Sequence, residues 1–213
     1  MIKTLYLING RFIIFLGVLC YLVGRGIFIG VTHKKNNPLN WIKEAINFLF
    51  VLYLLMVVSV TLFPLALWID FNFEQIKYGL NLIPLISIIK DFSKIGIAYD
   101  GDSAFMIGLI IRNVGGNILL LMPLGVLAPF ISKKFKPMKK SVLLALLVSI
   151  SIEFIQFIEL LAGGRGRTVD VDDVICNVIG ASLGYLIYKI MYRLIVKYQI
   201  KFLQNLDSEK LIM

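Results

Sequence analysis

The sequence is short of charge: Asp, Glu, Lys and Arg make up 16% of its 213 residues, where a soluble domain carries about 25%. It has one histidine, His33, and two cysteines, Cys20 and Cys176. The cysteines lie inside apolar runs without CxxC or other metal-ligand spacing. They read as small buried hydrophobes, and neither a metal nor a cofactor is called for. His33, in a basic stretch, reads as neither a metal ligand nor a general base. There is no P-loop, no GxSxG and no HExxH, so no familiar catalytic machinery is present, although a carboxylate cluster can still do acid–base work. No internal repeat appears, which counts against an inverted-repeat transporter. No small-residue cleavage site follows Lys3 and Arg11, and Arg25 interrupts the first apolar run, so that run reads as an uncleaved span.

What the chain has in excess is apolar sequence: 59% of residues are hydrophobic and the mean hydropathy is +0.86. Folded in water, it would expose more apolar surface than one core of this size can hide. A bilayer removes that conflict. About 20 consecutive apolar residues cross the hydrocarbon as a helix, the form that satisfies its own backbone groups. Five stretches qualify: roughly Phe12 to Val31, Ala45 to Ile69, Ala104 to Ile131, Ser141 to Ala162 and Val171 to Val196. Pro64 is expected to bend the end of the second, and Pro123 to kink the third. The fold class is therefore all-α, a polytopic membrane bundle of about five helices. Its expected parts are a first helix and basic loop (1–44), a four-helix membrane domain (45–196) and a short tail (197–213).

The net charge of +9 would suggest nucleic acid in a soluble protein. Here the lysines flank apolar runs, so they set topology and touch anionic headgroups; membrane lipids are the expected partners and nucleic acid is not. Between spans three and four stand Lys133, Lys134, Lys136, Lys139 and Lys140 with no acid. That loop is placed in the cytoplasm, as are the loop holding Lys34, Lys35 and Lys43 and the segment holding Lys189, Arg193, Lys197 and Lys201. The stretch from Asp70 to Asp102, with five acids and three lysines, falls outside. This gives an N-terminus out and a C-terminus in.

Polar residues within spans are costly and are functional candidates by default. With this topology Arg112, Asn113 and Asn117 of span three lie in its outer half. Glu153, Gln156 and Glu159 of span four and Asp170, Asp172, Asp173 and Asn177 at the start of span five lie at a similar outer depth. Asp173, Asn177, Gly180 and Gly184 step by four, three and four along one helix face, polar above and small below, as a tight helix contact requires. Asn113 and Asn117 share a face, as do Glu153 and Gln156. The glycine-rich link from Gly163 to Asp170 brings Arg165 and Arg167 beside the carboxylates. Three readings stay open for this cluster: a structural ion network, a site for an anionic or sugar-phosphate headgroup with arginine as the fork, and a divalent cation on carboxylates and asparagine. Asn81-Leu82-Ile83-Pro84 reads as a turn or re-entrant cap, and Arg25 as a snorkelling or paired residue.

Asn117-Ile118-Leu119-Leu120-Leu121-Met122-Pro123-Leu124-Gly125 resembles the NxLLFxPLG signature of the VanZ-like family. Glu153 and Gln156 resemble its E-x-x-Q. Arg167, Asp170, Asp173, Asn177, Gly180 and Gly184 match its R-x-x-D-x-x-D-x-x-x-N-x-x-G-x-x-x-G run. Thr61 to Pro64 and Asn81 to Pro84 match weaker upstream elements, so the resemblance covers roughly Phe48 to Tyr188. Glu159 and Arg165 stand outside the pattern. The resemblance implies a bacterial-type, multi-pass cytoplasmic-membrane protein tied to low-level teicoplanin resistance, a response to antibiotic, or to cell-envelope maintenance. On this reading a non-catalytic site built from Arg112, Asn113, Asn117, Glu153, Gln156, Arg167, Asp170, Asp173 and Asn177 binds a lipid-linked cell-wall precursor or a glycopeptide headgroup. The alternatives are a membrane enzyme acting on a lipid-linked sugar or phosphate, with Glu153 or Asp173 as acid–base, and a small transporter or channel.

Overall fold

The computed structural model describes residues 6–33, 41–67, 73–162 and 168–198. Within them are five helices long and apolar enough to cross a membrane, so the chain is an all-α membrane helix bundle. By its contacts it divides into two compact units, Met1–Ile69 and Asp70–Met213.

The first unit is a hairpin of α1 (Gly10–His33) and α2 (Trp41–Leu62). A short antiparallel pair, β1 (Tyr6–Ile8) with β2 (Leu65–Leu67), ties its open end, Leu7 facing Ala66. The helices approach closely where α1 is small: a Cβ on Gly10 would fall 2.3 Å from Ser59 Oγ, and one on Gly17 2.4 Å from a Leu55 methyl. The Arg25 guanidinium grips the Glu44 carboxylate with two nitrogens, Nε at 2.5 Å from Oε2, and lies 4.8 Å from the Phe28 ring centre. A charge on an apolar helix is thus met by a fork-shaped ion pair. The second span does not run to Ile69 with a bend; it ends at Leu62 and the chain turns extended. Pro64 offers no N–H, and its ring pushes the residue before it out of the helical region.

The second unit is built around α8 (Val171–Lys197). It packs most extensively on α6 (Gly116–Ile131) and next on α7 (Met138–Leu161). The α6 and α8 backbones touch. A Cβ on Gly180 would lie 1.9 Å from the Ile118 carbonyl oxygen, one on Gly184 2.0 Å from that of Met122, and one on Gly125 2.0 Å from that of Ala181. Lipid gives helices no hydrophobic reason to associate, so such close contact between small residues is what holds them. Pairing in this order makes α6 and α8 run parallel, with their N-terminal ends together. Span three reaches α6 through α5 (Ser103–Ile110) and a π-helical turn, Ile111–Gly115. Both Pro123 and Pro129 lie inside α6, so the irregularity of this span is the π turn rather than a break at either proline.

The connection before α5 is not a plain loop. It holds α3 (Phe73–Gly79), β3 (Leu80–Asn81) and α4 (Ile86–Ser93). β3 pairs in parallel with β4 (Val169–Asp170), Asn81 facing Asp170. Near the middle of α8, the Tyr185 hydroxyl donates to the Lys136 carbonyl at 2.5 Å, fastening the basic α6–α7 loop to α8. Large side chains of the long helices, such as Phe15, Leu119, Leu147 and Ile190, stand exposed around the bundle, the surface lipid covers.

Candidate functional site

The polar residues gather where α8 begins. Asp170 takes the N-cap position there and its Oδ1 accepts the Asp172 N–H at 2.8 Å, satisfying one of the donors a helix start leaves open. The same oxygen accepts the Asn81 side-chain amide at 2.7 Å, and that amide also reaches Ser87 Oγ at 2.6 Å. The Asp170 N–H donates to Glu153 Oε2 of α7 at 2.9 Å. Asn81, Glu153 and the α8 cap are therefore one network drawn from three distant parts of the sequence.

Two further carboxylates extend it. Asp172 is only 3% exposed and accepts the backbone N–H groups of Leu85 and Ile88, the latter at 3.5 Å. Leu85 sits at φ 65°, in the left-handed region, a conformation that costs a non-glycine residue of order 1–2 kcal/mol. That backbone turn places the Leu85 N–H on the Asp172 carboxylate at the start of α4. Asp173 Oδ1 accepts the Asn117 amide of α6 at 2.5 Å. One turn deeper, Asn177, 1% exposed, donates to Ser149 Oγ of α7 at 2.9 Å.

The electrostatics follow from this list of partners. Glu153, Asp170, Asp172 and Asp173 are each held by neutral donors, backbone N–H groups or amides, and among the described residues no Lys or Arg pairs with them. The start of the long α8 helix carries partial positive charge and favours Asp170, Asp172 and Asp173 there. Glu153 and Asp173 each use one oxygen in the network. The second oxygen of each makes no hydrogen bond with a described residue. The site offers acceptors of strong hydrogen bonds next to asparagine amides, a chemistry suited to hydroxyl and amide groups. No three His, Cys, Asp or Glu side chains among the described residues are placed to hold a metal.

The residues singled out from the sequence do not all meet. Asn117, Glu153, Asp170, Asp173 and Asn177 come together at one end of α6, α7 and α8. Gln156 lies half-buried on α7, one turn beyond Glu153. Arg112 and Asn113 fall on the π turn and are exposed; neither forms a hydrogen bond or ion pair with a described residue. Asn117, one step of four further along and half-buried, is the residue of this span that donates to Asp173. Arg167 and Arg165 lie outside the described residues.

Three contributors stand outside the polar cluster expected from the sequence: Asn81, Ser87 and Ser149. Asn81, expected in a turn, stands in a short strand. Ser149 had a signal, because Ser141, Ala145, Ser149 and Glu153 recur every fourth residue, and all four are buried against the rest of the bundle.

The family described as VanZ/LLP1 matches the chain over residues 50–192, about two thirds of its length. That span contains every described residue of the network. No curated protein and no solved structure matches the chain.

Proposed function

The chain belongs to the VanZ/LLP1 family, and from that premise we propose that it works in the bacterial cell envelope, in the cytoplasmic membrane, by binding a polar headgroup at its outer face. The headgroup is that of a lipid-linked cell-wall precursor or of a lipoglycopeptide such as teicoplanin, and the outcome is lower glycopeptide action. The observation that carries this reading is the network joining Asn81, Glu153 and Asp170, with the Asn117–Asp173 pair beside it, at one end of three membrane-length helices. Polar groups at such depth are expensive, and a bundle needing only stability would bury apolar side chains there. Carboxylates and amides beside one another suit the hydroxyls and amides of a glycopeptide or a sugar–peptide precursor. Lys133, Lys134 and Lys136 of the α6–α7 loop, with Lys139 and Lys140 opening α7, lie at the far end of α6 from the network, and the positive-inside rule sets that end in the cytoplasm.

The second reading, a membrane enzyme with Glu153 or Asp173 as acid–base, draws on the carboxylate oxygen of each that makes no hydrogen bond with a described residue. Isosteric Glu153→Gln and Asp173→Asn separate the two. A binding site keeps part of its teicoplanin effect in both variants at matched protein level, since shape and half of the hydrogen-bonding capacity survive. Proton-transfer chemistry is lost in both. The binding itself is measured with purified protein in nanodiscs titrated with teicoplanin. No saturable binding by the unaltered protein to either teicoplanin or a lipid-linked disaccharide–peptide would remove the headgroup reading.

A further inference from the structure

The segment leading into span three presents an apolar strip that the second unit leaves uncovered. Along α4, steps of 100° set Ile86, Ile88, Ile89 and Phe92 on one arc and Ser87, Lys90 and Asp91 on the other. Ile89 is 63% and Phe92 56% exposed, and Leu82, Ile83, Leu85 and Ile97 on either side are at least half exposed. On the polar side Lys94 pairs with Asp91 at 2.9 Å, and Lys90 is exposed.

The depth of this strip is fixed by what holds it. Asp172, the second residue of the long helix α8, binds the backbone at the start of α4. α4 also packs on α5, the beginning of span three. Exposed Phe105, Ile107 and Ile111 continue the apolar surface along that span. The strip therefore lies at the level where two membrane-length helices start, continuous with a lipid-facing surface and edged by lysines. A short helix with one strongly apolar side and a cationic polar side lies in the plane of the membrane interface.

We propose that α4 and its flanks, Leu82 to Ile97, form an interfacial membrane-binding element whose occupant is the headgroup–acyl boundary of the adjoining leaflet. The Asp172 clamp holds the element at that depth, and it sets the polar network directly beside the lipid headgroups. This holds whatever the network binds and whichever leaflet it faces.

The test uses the full chain, with Cys20→Ala and Cys176→Ala, in vesicles of phosphatidylglycerol and phosphatidylethanolamine. Nitroxide labels on Ile89→Cys, Phe92→Cys and Lys90→Cys report collision with oxygen, which concentrates in lipid, and with a water-soluble nickel chelate. Labels at 89 and 92 are expected to be oxygen-dominated, about 5–10 Å into the headgroup–acyl boundary, and the label at 90 nickel-dominated. Nickel-dominated labels at all three positions would overturn the proposal in favour of a loop in water. Labels at 89 and 92 closed to both reagents and broadened by neighbouring spins would overturn it in favour of a second copy of the chain. If the cysteine-free chain does not fold, Phe92→Trp in the native sequence supplies the same reading. Its added fluorescence is quenched by brominated acyl chains if the proposal holds, and by aqueous iodide alone if it does not.

Discussion

At the scale of single residues, the costs are set by carboxylates that meet neutral donors. Asp172 is the sharpest instance, since two backbone N–H groups at the start of α4 depend on it. Asp172→Ala leaves both without their acceptor, and an unmade buried hydrogen bond costs about 1–3 kcal/mol. The expected result is a lower unfolding temperature in detergent and easier proteolysis between Leu82 and Ile97. Unchanged cleavage would show that the clamp does not hold the segment. Arg25 and Glu44 give a parallel case in the first unit. Arg25→Ala strands Glu44 beside lipid and is expected to destabilise by about 1.5–3 kcal/mol, the range for hydrogen bonds to charged groups. Arg25→Met with Glu44→Leu should recover most of that loss, because replacing both members of an ion pair removes the unpaired charge. Thermal unfolding of the three proteins decides it; a double variant no better than the single one contradicts the pairing.

At the scale of elements, the α6–α8 contact governs whether the network can form, because it sets the distance from Asn117 to Asp173. Gly184→Val would drive a side chain into the Met122 carbonyl, already 2.0 Å from an ideal Cβ, whereas a Cβ on Gly24 or Gly26 of α1 meets nothing within 4 Å. Gly184→Val is expected to lose the folded species on size exclusion, while Gly24→Ala and Gly26→Ala behave as the unaltered chain. Equal behaviour of all three would mean the close approach is not needed.

The same scale shows what the sequence reveals of the fold and the site. Long apolar runs made four of the five spans plain, since twenty residues of one character leave no competing interpretation. The second span was read too long because Leu65 to Ile69 are as apolar as a helix, and the effect of Pro64 on the preceding backbone outweighed composition. The step of four from Gly180 to Gly184 marked a contact face, and the grouping of Asn117, Glu153, Asp170 and Asp173 followed from depth along the helices. Asn81 gave no comparable sign. Its partner Asp170 is 89 positions away, and a two-residue strand pairing leaves no local pattern. The π turn was equally silent, because hydropathy does not distinguish a five-residue turn from a four-residue one.

At the scale of the whole molecule, the lysine-rich α6–α7 loop and the Asn81–Asp170 network occupy opposite ends of the α6–α7–α8 bundle. The positive-inside rule then predicts that a cysteine at Lys134 is labelled by a membrane-impermeant maleimide only after the cells are opened, and one at Tyr78 in intact cells. The reverse pattern would turn the network toward the cytoplasm and remove it from the path of a drug acting outside. The most direct measurement is teicoplanin and vancomycin susceptibility in cells without the gene, with it, and with Asp173→Ala at matched protein level. The account predicts a rise in teicoplanin tolerance that disappears with Asp173→Ala, because the Asn117 amide then loses its partner. A rise that survives Asp173→Ala in full, or no rise with the unaltered gene, would contradict it.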